Sequence, residues 1–138
     1  MKKFLLLVNI FLTSFFIQGQ GSWQVCLNKK TIVTGSESNE LLNTKKINQK
    51  EWIKNGYLEI NYKEVDTGFW KRSFQFEDET GFQLFSKDST TKVKIPIPEL
   101  RKLYAGKREI KIYTVASPLD PNIMVRMQRV HLCTLKLH

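Results

Sequence analysis

Histidine and cysteine are the scarcest carriers of chemistry in this chain, with two of each in 138 residues. A nucleophile activated by a base needs an imidazole or its equivalent held in place by a third group. Here His138 is the last residue, and His131 lies two positions before Cys133 in a strand-like stretch. No G-x-S-x-G segment occurs, which removes the nucleophile elbow of the α/β-hydrolases. Thr34-Gly35-Ser36-Glu37-Ser38-Asn39 is polar but lacks the further glycines of a phosphate-cradling loop. After Ile17 no apolar run is long enough to suggest a spanning helix in the mature chain.

The first 21 residues read as a cleavable signal peptide. Lys2 and Lys3 form a positive start, Phe4 to Ile17 is mostly apolar, and Gly19-Gln20-Gly21 offers a small-x-small cleavage pattern. Residues 22–138 are then one exported domain, periplasmic or secreted. Export shapes the reading of the cysteines: an even pair in an oxidising compartment predicts a structural disulfide, Cys26 to Cys133. A loop that long would contribute about 4–5 kcal/mol in the chain-entropy picture.

Alternation of apolar and polar residues marks the strands. Trp23, Val25 and Leu27 share one face with Cys26 on the other, and Asn28-Lys29-Lys30 can turn the chain into Thr31-Ile32-Val33. Asn48, with Glu51 three residues on, opens one helical turn that buries Trp52 and Ile53 and stops at Asn55-Gly56. Leu58, Ile60 and Tyr62 then alternate with polar residues. A second strand, helical turn and strand follow through Val93, Ile95 and Ile97, Pro98-Glu99 to Gly106, and Ile110 with Ile112. Between these units, Phe69 to Phe76 and Phe82 to Phe85 flank an acidic loop as a hairpin. Ser117 to Asn122 reads as a proline-rich loop. The final strand carries Cys133, Leu135 and Leu137 on one face, with a bulge expected near Arg129.

The predicted fold is all-β: an antiparallel β-sandwich or partly open barrel of seven to eight strands, with one or two short helical turns, closed by one disulfide. An immunoglobulin-like version would need Trp52 or Trp70 as the core tryptophan, but the second cysteine then lies one strand too late. The ends W-Q-V-C-L-N-K-K and R-V-H-L-C-T-L-K-L-H, with W-K-R between them, resemble small exported bacterial proteins of uncharacterised function. The resemblance implies export and no activity.

The formal charge is +9, and removing Lys2 and Lys3 leaves the domain basic, so charged partners are expected to be anionic. Two patches combine basic and aromatic residues: Lys45, Lys46, Lys50 and Lys54 with Trp52, and Trp70 with Lys71 and Arg72 beside Phe69. Arg101, Lys102, Lys107, Arg108 and Lys111 form a third basic run. These features predict a non-enzymatic binding or structural domain without a cofactor, contacting an anionic envelope component or another envelope protein, with nucleic acid ranked behind both. A small hydrolase using carboxylates among Glu59, Glu64, Asp66 and Glu77 is the first alternative. Copper handling by Met124, Met127, His131, Cys133 and His138 is the second; it requires Cys133 to be unbridged and lacks the blue-copper order of cysteine, histidine, methionine.

Overall fold

The computed structural model describes residues 21–36, 40–64, 70–88, 91–120, 122 and 129–137. The expected signal peptide up to residue 20, Asp66, Phe69, Met124, Met127 and His138 lie outside the described residues. In chain order the elements are β1 (Ser22–Leu27), β2 (Lys30–Gly35), β3 (Thr44–Lys46), α1 (Gln49–Trp52), β4 (Tyr57–Lys63), β5 (Trp70–Glu77), β6 (Gln83–Lys87), β7 (Lys92–Pro96), α2 (Ile97–Leu103), β8 (Glu109–Pro118) and β9 (Arg129–Lys136). Two sheets result, ordered β2-β1-β4-β7 and β3-β9-β8-β5-β6. Every described pairing is antiparallel except β3 with β9, a three-residue parallel contact that alternation in the sequence gives no means of anticipating.

The period-two apolar faces meet between the sheets. Val25, Ile60, Phe74, Phe76, Ile110 and Ile112 are fully buried there. The two strand–helical turn–strand units are the crossovers: β3–α1–β4 passes from the second sheet to the first, and β7–α2–β8 passes back. Arg101 of α2 donates to the Trp52 carbonyl at 2.7 Å, satisfying an orphan carbonyl at the end of α1. Asn48 caps α1 by accepting from the Lys50 amide at 3.0 Å. Ile53, expected to be buried, is 66% exposed because the turn ends before it. Ile97 starts α2 instead of ending a strand. Ser117 and Pro118, expected in a loop, close β8, where among the described residues they pair with Lys71 and Trp70 of β5.

The disulfide is absent: Cys26 and Cys133 are both free thiols. The strand alternation explains the correction. Cys26 faces away from the core opposite Thr31, its sulfur 3.5 Å from the Thr31 hydroxyl, whereas Cys133 pairs with Ile112 inside the sandwich. The first and last strands are joined by a hydrogen bond instead. Trp23 Nε1 donates across the sandwich to the Leu132 carbonyl at 3.0 Å, so the core tryptophan is Trp23 and neither Trp52 nor Trp70. Leu132 is the unpaired residue of a β-bulge, since Tyr113 pairs with His131 and Ile112 with Cys133. The bulge thus falls three residues beyond Arg129 and presents a carbonyl that the indole satisfies.

Candidate functional site: a lysine-rimmed cleft between two sheet edges

The edge strands β2 and β3 belong to different sheets and contribute to a cleft of about 250 Å³, lined by Leu27, Ile32, Ile47, Lys30, Lys45, Lys46, Asn48 and Glu51. A second β-bulge builds it. Val25 pairs with Val33 and Cys26 with Thr31, leaving Ile32 without a partner in β1. Directly opposed residues share a face, so after the bulge Lys30, opposite Leu27, lies on the inner face. An unbroken strand counted back from Val33 would have placed Thr31 there instead. The extra residue re-aims a lysine toward the cleft and leaves Ile32 half-buried in its wall.

The hairpin that presents Lys30 is a two-residue turn, with Asn28 at φ 53° and Lys29 at φ 69°. Two positive φ values are those of a type I′ turn, whose twist matches antiparallel strands. The Asn28 amide then clamps α1: its Nδ2 donates to the Glu51 carbonyl at 3.0 Å and to Glu51 Oε2 at 2.8 Å. Gly56 makes room for this clamp, because a Cβ there would collide with the Asn28 side chain. Glu51 also pairs with Lys54 at 3.1 Å. The hydrogen bond from Asn28, followed by that from Lys54, holds the Glu51 carboxyl below its usual pKa. The one acid in the cleft lining is therefore already engaged. Among the described residues, Lys30, Lys45 and Lys46 form no ion pair. A second depression of about 570 Å³, lined by Lys46, Ile47, Asn48, Gln49 and Leu137, shares three of these residues.

The expected patches fare differently. Lys45 and Lys46 reach the cleft; Lys50 is exposed on α1, Lys54 is paired with Glu51, and Trp52 packs half-buried against the core. Trp70, Lys71 and Arg72 form no common surface. They start β5, three strands from β3 in the same sheet, and only Arg72 is buried. Arg72 forks onto Glu64, with Nη2 at 3.0 Å from Oε2 and Nε on Oε1. It also donates to Thr114 Oγ1 at 3.0 Å and lies 3.8 Å over the Tyr62 ring. In the third basic run, Arg101 closes α1 and Lys107 pairs with Asp78 at 3.0 Å. Lys30 is the cleft residue that sequence patterning missed, because the bulge that turns it inward leaves no mark on composition.

The other chemistries find weaker geometry. Glu59 lies 3.7 Å from Lys94, Glu64 is held by Arg72, and Glu77 is 2.5 Å from Arg129, so each of these three carboxylates is paired with a cation. His131 and Cys133 fall on opposite faces of the sheet, separated by the Leu132 bulge. His131 bonds Thr134 Oγ1 through Nε2 at 2.7 Å and packs edge-on against Tyr113. The Cys133 thiol meets the unbridged condition of the copper reading, but complete burial pushes its pKa far up and keeps it protonated. Among the described residues no group of three or more His, Cys, Asp or Glu could hold a metal ion.

No family model, curated protein or solved structure matches this chain.

Proposed function

We propose that this chain is an exported, non-enzymatic binding domain whose lysine-rimmed cleft takes an anionic component of the cell envelope. Export is read from the first 21 residues, in keeping with the resemblance to small exported bacterial proteins. The observation that carries the binding role is that Lys30 and Lys45 lie on the inner faces of β2 and β3, opposite Leu27 and Leu135, beside one concavity that Lys46 borders from the other face of β3, with no ion pair on the three among the described residues. Arg72, Lys94, Lys107 and Arg129 elsewhere on the domain are held in ion pairs, and among the described residues Lys50, Lys71 and Lys102 are exposed without one but line no concavity with a second basic strand edge. Unpaired like charges around low-dielectric walls focus a positive field and raise the local concentration of anions.

Titrating the ¹⁵N-labelled domain with heparin as a generic polyanion tests the charge reading. The expected shifts concentrate on Lys30, Lys45, Lys46 and Ile47, and Lys30→Glu with Lys45→Glu and Lys46→Glu abolishes them, whereas Lys71→Glu with Lys102→Glu leaves them in place. Shifts scattered over all surface lysines, or persisting in the triple variant, would remove the cleft from consideration.

A further inference from the structure

The lysines surround the cleft, but its floor is hydrocarbon. Leu27 and Ile47 come from the edge of the buried core, and the bulge residue Ile32 is half-buried between them and solvent. A site evolved for a fully hydrophilic anion such as a sugar chain would be expected to line its base with hydroxyls, amides or flat aromatic rings; here the polar lining besides the lysines is Asn48, whose side chain caps α1, and Glu51, which is occupied by Asn28 and Lys54. The volume of about 250 Å³ falls just below the range of typical small-molecule sites, too small for a diacyl lipid. A concave floor also differs from the protruding apolar residues with which a peripheral protein enters a bilayer.

From these features we infer that the cleft binds a free, single-chain carboxylate of medium length. The headgroup sits between Lys30 and Lys45, with Lys46 at the margin, and the acyl tail lies over Ile32, Leu27 and Ile47. The bulge at Ile32 serves both halves: it supplies the apolar wall and turns Lys30 toward the headgroup. The second depression, which shares Lys46, Ile47 and Asn48, offers the tail a way to extend past Ile47 toward Leu137. This inference rests on the anion-binding role of the same cleft.

A chain-length series tests it, with butanoate, hexanoate, octanoate, decanoate and dodecanoate titrated into the full exported domain below their micelle concentrations. Burying each added methylene tightens binding about 4-fold, so affinity is expected to climb by that factor per methylene and then level off once the cleft is full. Decanol, with the same tail and no charge, binds at least 10-fold more weakly than decanoate. The Lys45→Gln, Lys46→Gln pair lowers decanoate affinity to the same degree. Ile32→Asn weakens decanoate while heparin shifts at the lysines remain, and that retained response shows the variant is folded. Three results overturn the acyl inference: heparin bound at the lysines with decanoate not bound; decanol as tight as decanoate; or tight binding to phosphatidylglycerol vesicles with none to free decanoate, which would assign the face to a membrane surface. If neither heparin nor decanoate binds, the anion-binding reading of the cleft fails as well.

Discussion

The indole of Trp23 does the work that a disulfide was expected to do, and replacing it with phenylalanine measures how much. Trp23 is 2% exposed, stacks parallel to Tyr62 with centroids 6.1 Å apart, and donates to Leu132 at 3.0 Å. Trp23→Phe keeps an aromatic ring but leaves the bulge carbonyl unpaired in the core, costing about 1–3 kcal/mol. The smaller ring vacates roughly 40 Å³, worth on the order of 1 kcal/mol at the cavity slope known for cores. The expected loss is about 2–4 kcal/mol, a large part of the stability of a small domain. Urea unfolding followed by far-UV circular dichroism reads it as a lower midpoint at unchanged slope. Trp52→Phe, at a half-buried indole packed on the margin of the core, should cost less than about 1 kcal/mol. Dithiothreitol should leave the wild-type midpoint where it is, since both thiols are free. A Trp23→Phe loss below about 1 kcal/mol, or a wild-type protein that weakens by several kcal/mol on reduction, would refute the claim that a hydrogen bond joins the two ends.

Other outcomes follow from single positions. Lys29 sits at φ 69°, and Lys29→Gly should stabilise the hairpin by about 1 kcal/mol, read as a higher melting temperature with the cleft's ligand response unchanged. Glu64→Gln leaves the buried Arg72 guanidinium without its counter-charge and should cost about 3 kcal/mol in urea unfolding; Arg72→Met combined with Glu64→Leu should cost less than Glu64→Gln alone. Burial lowers the pKa of His131 below 6.5, opposed by Glu40 and assisted by Lys111 and Arg129. The unfolded chain then takes up its proton first, so stability is complete above pH 6.5 and falls as pH drops toward the folded-state value. In His131→Gln that part of the pH dependence should be missing from a series of unfolding curves.

Most of the sandwich is legible in the sequence because burial on one face of a strand forces a period of two. Leu58, Ile60 and Tyr62 follow it, as do Val93 and Ile95, and the two helical crossovers show through Asn48, Asn55-Gly56, Pro98 and Gly106. The same alternation sets Cys26 against Val25 and Leu27, so the pattern already places its sulfur on the solvent face. The expectation of a bridge came from compartment and count, which say nothing about direction. The candidate site was half legible: Lys45 and Lys46 stand out as a basic run beside Trp52, but their neighbour across the cleft comes from β2, and no local signal links it to β3. Trp70-Lys71-Arg72 looks like a surface motif and is divided by the pleat, with Arg72 drawn into the core margin by Glu64 and Thr114.

Both departures from regular alternation carry more consequence than the regular strands around them. At Leu132 the extra residue frees a carbonyl for Trp23 and sets His131 on the face opposite Cys133. At Ile32 it turns Lys30 inward and leaves an aliphatic side chain at the open edge. In a sandwich the interior of each strand is constrained by packing, so a new side-chain direction can be introduced at low cost only where a ladder slips by one residue. Deleting Ile32 would make the ladder regular, with Thr31 still opposite Cys26 and Lys30 still opposite Leu27 on the inner face, and would remove the aliphatic wall of the cleft while leaving Val33 in the core. The apolar wall and the fold are thus separable at a single inserted residue, and a domain that lost its decanoate response but kept its heparin response and its melting temperature on that deletion would have shown that the insertion serves recognition and not stability.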